Sequence, residues 1–213
     1  MSDNYCSIYL VRHGETVANV SGVVVGQTDS SLTENGLRQI EETAEILKDI
    51  HFDAVFSSDL LRAKRTAEVI AKEKALTIAT SEALRERFYG IHEGSSKEAF
   101  VKATQHVWDA FRALSDEEKR TFVLPDGMET NHSMMERFIP YIREIAVAFP
   151  GKNVLVVTHG SIMRNFLIHI GYMQKSVGQQ IEISNGAYFK IMSDGVDFTF
   201  DEASDETGMK LPK

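Results

Sequence analysis

Two histidine–glycine pairs in this sequence each follow directly after a run of apolar residues. Residues 7–12, SIYLVR, lead into His13-Gly14, and residues 153–158, NVLVVT, lead into His159-Gly160. Arg12 immediately precedes the first pair. A guanidinium group matches phosphate oxygens in a paired geometry, and an imidazole can attack an electrophile or carry a proton. These residue types therefore predict an oxyanion site, and phosphate is the anion that suits them best.

A third segment supplies a second arginine. Residues 53–57, DAVFS, form another short apolar run, and Ser58 and Asp59 follow it as candidate helix caps. Arg62 then lies one turn into the predicted helix, which extends to about residue 74. Because ligands bind beyond the carboxyl ends of the strands in open α/β sheets, we expect the three segments to meet at one edge. Two arginines, two histidines and the N–H groups of helix starts would then share one site.

The chain as a whole alternates predicted strands with predicted helices. The predicted strands are 7–12, 53–57, 76–80, 153–158 and a terminal hairpin formed by 187–192 and 196–200. Thr33 or Ser31 can cap the first long helix, whose apolar residues recur at helical spacing. This alternation predicts an α/β fold, a three-layer α/β/α sandwich around a mixed, mostly parallel sheet.

Residues 95–150 interrupt the alternation and predict a helical insertion. Its last helix contains Pro140, which either kinks the helix or lies near its start. Residues 115–120, SDEEKR, are typical of a solvated turn. We therefore expect one catalytic domain over residues 1–200 and a flexible acidic tail over 201–213.

Composition excludes several classes of protein. The formal net charge is −8, whereas a nucleic-acid-binding surface would be basic. No apolar run is long enough to cross a bilayer, and the polar N-terminus lacks the pattern of a signal peptide. Cys6 is the single cysteine, so no internal disulfide is possible and a reducing compartment suits the chain. We expect a cytoplasmic monomer or homodimer that acts on a small molecule, with neither a nucleic-acid nor a membrane partner.

Two other chemistries fit the residues poorly. Cys6 and Arg12 have the C-x5-R spacing of cysteine-dependent phosphatases, but the intervening residues form a strand that would separate them by about 20 Å. The remaining histidines show no spacing typical of a metal site. We therefore expect neither a thiol nucleophile nor a bound metal, and no organic cofactor.

Four motifs occur in a fixed order: LVRHGET-x-x-N, SSDLLRA-x-x-TA, LRERFYG-x-x-EG and VTHG. With these motifs the chain resembles the histidine phosphatase superfamily, also called the phosphoglycerate mutase-like proteins. The resemblance covers residues 7–94 and 153–190. The resemblance implies the phosphoglycerate mutase-like fold and a reaction through a phosphohistidine.

The resemblance also implies roles for individual residues. His13 would be the nucleophile, and Glu86 would protonate the leaving alkoxide. The residues implied around the transferring phosphoryl group are Arg12, Arg62, His159, Asn19 and the N–H of Gly160. Those implied around the rest of the substrate are Gly26, Arg87 and Tyr89.

These roles demand particular protonation states. His13 must be neutral to attack, and two nearby arginines disfavour its cation. We expect His159 to be the charged partner, since paired groups then take opposite states. Glu86 must hold a proton, which requires partial burial.

Phosphatases and mutases of this family share the phosphate pocket and differ around it. The Thr-Gly pair that contacts the substrate carboxylate in the mutases is matched here by Val25-Gly26, which lacks the hydroxyl. The paired arginines of the mutase insertion are also absent from residues 95–150. We therefore predict a phosphomonoester hydrolase, with sugar phosphates or bisphosphates among the candidate substrates. The alternatives are a phosphoglycerate mutase and a non-catalytic module that binds phosphorylated ligands or proteins.

Overall fold

A six-stranded mixed sheet forms the centre of the protein. The computed structural model describes residues 4–72, 76–173, 182–203 and 209–210. The strands are β1 (Cys6–Arg12), β2 (Ala54–Ser58), β3 (Ile78–Ser81), β4 (Asn153–Thr158), β5 (Glu182–Ile183), β6 (Tyr188–Ser193), β7 (Phe198–Ala203) and β8 (Met209–Lys210). The large sheet has the order β3-β2-β4-β1-β6-β7, and β5 pairs with β8 in a second, two-stranded sheet. Strands β1 to β4 run parallel, whereas β6 and β7 are antiparallel. The predicted mixed, mostly parallel sheet is confirmed.

Helices cover both faces of this sheet. They are α1 (Val17–Val20), α2 (Glu34–Ile46), α3 (Leu61–Ile70), α4 (Lys97–Ala113), α5 (Asp116–Thr121), α6 (Asn131–Ala148) and α7 (Gly160–His169). Ile8 and Leu10 of β1 pack in a cluster with α6 and α7, whereas Tyr9 and Val11 pack with α3 and the end of α2. Because β1 is buried on both faces, its sequence is a continuous apolar run rather than an alternation.

Helix starts differ in part from the prediction. Thr33 caps α2 as expected, and its hydroxyl accepts a 2.9 Å hydrogen bond from the Gly36 N–H. Helix α3 begins later, at Leu61, and ends at Ile70 rather than near residue 74. Asp59 is not its cap, because the carboxylate instead accepts a 2.8 Å hydrogen bond from Arg85 Nε.

The region between β3 and β4 is helical, as predicted, with one difference. Residues 116–121 form the helix α5 instead of a turn, because Ser115 and Glu118 make a capping box at its start. Pro140 lies inside α6. Val107, Leu124 and Met128 form a small apolar cluster of their own, separate from the two clusters on the sheet.

Two described parts of the chain beyond residue 200 lie in strands. Asp201 to Ala203 continue β7, and Met209–Lys210 pair with Glu182–Ile183. Backbone pairing therefore holds these parts of the expected tail, and its other positions lie outside the described residues. Within the described ranges, no helix combines the length and apolar character needed to span a membrane.

Candidate active site

Strand register places the two histidine–glycine pairs side by side. Arg12 of β1 pairs with Thr158 of the parallel neighbour β4, so the next residue on each strand is a histidine. The N–H of His13 donates a 3.1 Å hydrogen bond to the carbonyl of Thr158. The His13 and His159 ring centroids are 5.1 Å apart. As predicted, both histidines lie at the carboxyl ends of strands, at one edge of the sheet.

His13 is held in one tautomer. Its Nδ1 lies 2.7 Å from the carbonyl oxygen of Gly14, which can only accept, so Nδ1 carries the proton. Nε2 is therefore unprotonated, and its lone pair accepts a hydrogen bond from Arg62 Nε over 3.3 Å. The side chain is buried, with 4% of the residue exposed. His13 thus presents an unprotonated Nε2 beside a cation.

Arg62 is oriented by the loop that follows α1. Its Nη2 donates to the carbonyl of Gly26 over 2.6 Å, and its Nη1 donates to the carbonyl of Thr28 over 2.8 Å. Gly26 has a φ of 55°, a left-handed conformation that favours glycine. The sequence suggested Gly26 as a substrate contact, whereas here its carbonyl fixes the guanidinium that faces His13.

Arg12 lies against the start of α7. A Cβ built on Gly160 would stand 3.1 Å from Arg12 Nε, so the absence of a side chain leaves room for the guanidinium. Arg12 Nη1 donates to the carbonyl of Ile183. Among the described residues, Arg12 Nε and both ring nitrogens of His159 are buried without a hydrogen-bond partner. Buried polar atoms are nearly always paired, so this cluster has unused capacity to bind a polar ligand.

Gly14 serves a different purpose from the one that the sequence suggested. Its φ is not in the left-handed region, and a Cβ there would lie 2.5 Å from the carbonyl oxygen of Gly36. Its N–H donates to the hydroxyl of Thr66 over 3.2 Å. Gly14 therefore permits close packing of the loop after β1 against α2 and α3, which holds His13 in place.

Burial and positive charge act together on the two imidazoles. Loss of solvation, followed by the charges of Arg62 and Arg12, holds the pKa of His13 well below its ordinary value. Loss of solvation, followed by the charge of Arg62, does the same to the pKa of His159. The neutral His13 agrees with the expectation. The expected charge on His159 is wrong for the free protein, because that ring is fully buried among cations.

Glu86 lies in the loop between β3 and α4 and contacts the start of α7. Its Oε1 accepts a 2.7 Å hydrogen bond from the Arg87 N–H, and its Oε2 accepts a 3.1 Å bond from the Ser161 N–H. The residue is half-buried, as expected for the proposed acid. Its carboxyl group lies within electrostatic range of Arg12 and Arg62, so the structure brings it to the same cluster.

Ser161 was not among the predicted residues. Its hydroxyl lies 3.2 Å from Tyr89 Oη, so it connects the Glu86 loop to α7 through both backbone and side chain. Ser161 could have been identified from the sequence by its position directly after His159-Gly160, at the start of a predicted helix.

Arg87 faces the helical region. Its guanidinium donates to Asn131 Oδ1 and, over 3.2 Å, to the carbonyl of Glu129. It also lies 5.7 Å from the ring centroid of Trp108 and 6.0 Å from that of Tyr89. Only 5% of Arg87 is exposed. Arg87 and Tyr89 therefore join the loop of Glu86 to the helical region that includes α4 and α6.

Asn19 lies in α1, and its side chain contacts both the loop after His13 and the distant Asn185. Its Oδ1 accepts hydrogen bonds from the N–H of Thr16 over 3.1 Å and from its hydroxyl over 3.0 Å. Asn185 Nδ2 lies 3.4 Å from the same oxygen and donates over 3.0 Å to the carbonyl of His13. Asn185, which the sequence motifs did not single out, thus joins His13 to Asn19.

Cys6 is buried at the far end of β1 from this cluster. Burial raises the pKa of its thiol to about 12, so it is protonated at neutral pH. The rejection of a cysteine nucleophile is therefore supported by both position and charge state.

The chain is similar to known phosphatases and mutases. A family model described as the histidine phosphatase superfamily (branch 1) matches residues 8–206. A Bacillus subtilis protein named as the uncharacterised phosphatase PhoE is 34% identical over 168 residues, which are 77% of each chain. A metal-independent phosphoserine phosphatase of Arabidopsis thaliana is 35% identical over 165 residues, 76% of this chain and 68% of the relative.

A solved structure supports the same assignment. The crystal structure of a phosphoglycerate mutase from Bacillus anthracis superposes with a TM-score of 0.78 at 27% identity, covering 93% of this chain and 92% of that one. The family match spans both histidine–glycine pairs, both arginines and Glu86. The four ordered motifs, the sheet topology and these similarities lead to one conclusion: this chain belongs to the histidine phosphatase superfamily.

Proposed function

We propose that this protein hydrolyses small phosphomonoesters through a phosphohistidine formed on His13. The observation that carries the proposal is the state of one atom, Nε2 of His13. Gly14 fixes the proton on the other ring nitrogen, and Arg62 Nε stands 3.3 Å from Nε2. An unprotonated nucleophile is thereby placed beside a cation, and the guanidinium can transfer its hydrogen bond from Nε2 to the oxygens of an incoming phosphoryl group.

In the first step, Nε2 of His13 attacks phosphorus. A P–N bond forms, the P–O bond to the alcohol breaks, and the leaving oxygen takes the electron pair together with a proton from Glu86. Arg12 and Arg62 would place positive charge at the equatorial oxygens, as phosphoryl transfer requires, and a ring N–H of the neutral His159 would donate a hydrogen bond to them. The unpaired Arg12 Nε and His159 nitrogens are the groups available for this role.

In the second step, water attacks the phosphorus of phospho-His13. Glu86, now ionised, takes a proton from that water, the P–N bond breaks and the electron pair returns to Nε2. Inorganic phosphate leaves, and His13 is again neutral. The N–H of Gly160, the first residue of α7, would add a donor to the phosphate oxygens.

The substrate class is inferred from the surroundings of this cluster. The resemblance assigns Arg87 and Tyr89 to the alcohol portion of the substrate, and the sequence-similar phosphoserine phosphatase has a small phosphorylated substrate in its name. We propose a phosphorylated metabolite of similar size, with sugar phosphates and bisphosphates included.

A mutase is the second candidate, because a phosphoglycerate mutase is among the similar structures. Against it, Lys97, Lys102 and Arg112 are exposed, and Arg112 pairs with Asp109 on its own helix. In the part of the chain that the structure describes, no hydrogen bond or ion pair joins any of the three side chains to the phosphate cluster. A panel of p-nitrophenyl phosphate, phosphoglycerates, phosphoserine and sugar phosphates separates the two. Faster isomerisation than hydrolysis of 3-phosphoglycerate would favour the mutase.

The phosphohistidine is tested by trapping. The enzyme is mixed with substrate and quenched in alkali, where phosphohistidine survives, and its peptides are analysed by mass spectrometry. We expect a phosphoryl group on the peptide that contains His13, which is lost on treatment with acid. Turnover without this species would contradict the mechanism, and a non-catalytic binding module would show neither turnover nor phosphoenzyme.

We also propose a cellular compartment for the protein and an extent for its catalytic domain. The single, buried Cys6 supports a reducing compartment such as the cytoplasm. The six-stranded sheet, which contains β1 to β4, β6 and β7, supports the proposal of a single catalytic domain, expected over residues 1–200.

A further inference from the structure

The loop that contains Glu86 has no strand or helix of its own to fix it. Glu86 lies between a 3₁₀ turn that ends at Leu84 and another that begins at Gly90. Its backbone therefore lacks the hydrogen-bond ladder of a regular element. Side chains from elsewhere must set the direction of its carboxyl group.

Arg137 of α6 supplies most of that support. Its Nη2 donates to the carbonyl of Glu86 over 3.0 Å, and its Nη1 donates to the carbonyl of Ala83 over 2.9 Å. Gln27 Nε2 donates to the same Glu86 carbonyl over 3.1 Å. One guanidinium thus spans the loop from Ala83 to Glu86, and the carbonyl of the proposed acid accepts two side-chain donors.

Glu129 in turn fixes Arg137. Its Oε1 accepts from Arg137 Nε over 2.7 Å, and its Oε2 accepts from Arg137 Nη2 over 3.0 Å, a paired geometry that strongly restricts the guanidinium. The Glu129 side chain is 11% exposed and that of Arg137 is 23% exposed. Glu129 also exchanges hydrogen bonds with Phe88, two residues beyond Glu86. The ion pair therefore holds the loop on both sides of Glu86.

We propose that the Arg137–Glu129 ion pair is a positioning device for the proton transfers of Glu86, a role that rests on the proposed function. Neither side chain needs to touch the substrate. The pair orients the backbone of Glu86 so that its carboxyl group reaches the leaving oxygen, while the Arg87 and Ser161 N–H groups hold the carboxyl itself.

This role predicts a loss that depends on the leaving group. An alkoxide is a strong base and needs the proton of Glu86, whereas p-nitrophenolate is stable enough to leave without one. We expect Arg137→Met to lower kcat for an alkyl phosphate of the substrate panel by about 10- to 100-fold, part of what a general acid contributes. For p-nitrophenyl phosphate we expect a change in the first-step rate of less than about threefold, measured as the pre-steady-state burst of p-nitrophenolate.

Matched variants separate positioning from folding. Arg143→Met makes the same change on the same helix, at a guanidinium that donates to Val196 instead of the Glu86 loop. Arg143→Met should leave the rates with both substrates unchanged. Arg137→Lys keeps a donor and should recover part of the alkyl phosphate activity, and Glu129→Gln should reproduce the leaving-group dependence. If circular dichroism shows that Arg137→Met does not fold, the comparison is made with Arg137→Lys and Glu129→Gln.

The outcomes are distinct. A selective loss for the alkyl phosphate, with partial recovery in Arg137→Lys, supports the inference. Equal losses for both substrates, or no loss for either, would overturn it and leave the pair a structural contact. Failure of wild-type enzyme to form phospho-His13 would instead refute the proposed function.

Discussion

The imidazole rings of His13 and His159 lie 5.1 Å apart, inclined at 61°, at the ends of two neighbouring parallel strands. Both rings are buried, and the guanidinium groups of Arg12 and Arg62 depress the pKa of each. The free protein therefore concentrates cations around neutral bases. A bound phosphoryl group would bring negative charge to these cations and to the ring nitrogens of His159.

Replacement of His13 should abolish turnover, because its Nε2 forms the bond to phosphorus in the proposed reaction. We expect His13→Ala to lower kcat by more than about 10³-fold, a scale typical of the loss of a nucleophile. His51→Ala is the control, since that imidazole is 87% exposed. Steady-state hydrolysis of p-nitrophenyl phosphate measures both. Substantial residual activity in His13→Ala would assign the nucleophile elsewhere.

The depressed histidine pKa values predict acid sensitivity of the fold. Both folded-state values lie below the unfolded value of about 6.5, so the unfolded chain binds more protons beneath that pH. The stability that the two neutral histidines contribute should be fully present above about pH 6.5. Below that pH the free energy of unfolding should fall, with a slope approaching about 1.4 kcal/mol per pH unit for each histidine. Urea unfolding across this range gives the slope, and His159→Asn should reduce it. An unchanged slope in that variant would contradict the assigned charge state.

Oxyanion binding should require Arg12 but no metal. We expect vanadate or phosphate to inhibit competitively and to raise the Tm equally with and without a chelator. Arg12→Met should weaken oxyanion binding by about 10- to 100-fold, the loss of a charge-assisted pair. The same variant should raise the free energy of unfolding by about 1 kcal/mol, because it removes a buried cation. Calorimetry and urea unfolding measure the two effects. Inhibition by a chelator, reversed by a divalent metal, would count against the mechanism.

Gly160 should be needed for the placement of Arg12. In Gly160→Ala, the new Cβ would lie 3.1 Å from Arg12 Nε and 3.3 Å from its Cζ, so the guanidinium must shift. We expect kcat/KM to fall about tenfold, as for a lost hydrogen bond to a charged group. The Tm should change little, because alanine is a favourable helical residue. Unaltered kinetics would mean that Arg12 does not depend on this contact.

Much of the site could be predicted because it lies at strand ends. The apolar runs before His13 and His159, and the glycines after them, are local signals that mark where a buried strand stops. Parallel pairing then brings such ends together without further information. The ordered motifs added Glu86, whose loop has no periodic pattern of its own.

Residues that act through contacts distant in the chain were missed for a common reason. Ser161, Asn185 and Arg137 are ordinary polar residues by sequence, and each gains its role from a partner on another element. Asp59 was expected to cap α3, but its carboxylate pairs with Arg85, a contact between residues 26 positions apart. The propensity of Asp to cap a helix depends on its neighbours in the sequence, so it does not predict a competing ion pair with a distant residue.

The sequence by itself determined the α/β class, the family and the residue types of the site, since these follow from periodicity and short motifs. The tertiary structure alone decided the protonation of His159, the burial of Arg12 Nε without a hydrogen-bond partner among the described residues, and the support of Glu86 by Arg137 and Glu129. Desolvation and long-range hydrogen bonds depend on which side chains surround a group once the chain has folded. Neighbours in the sequence do not specify those surroundings.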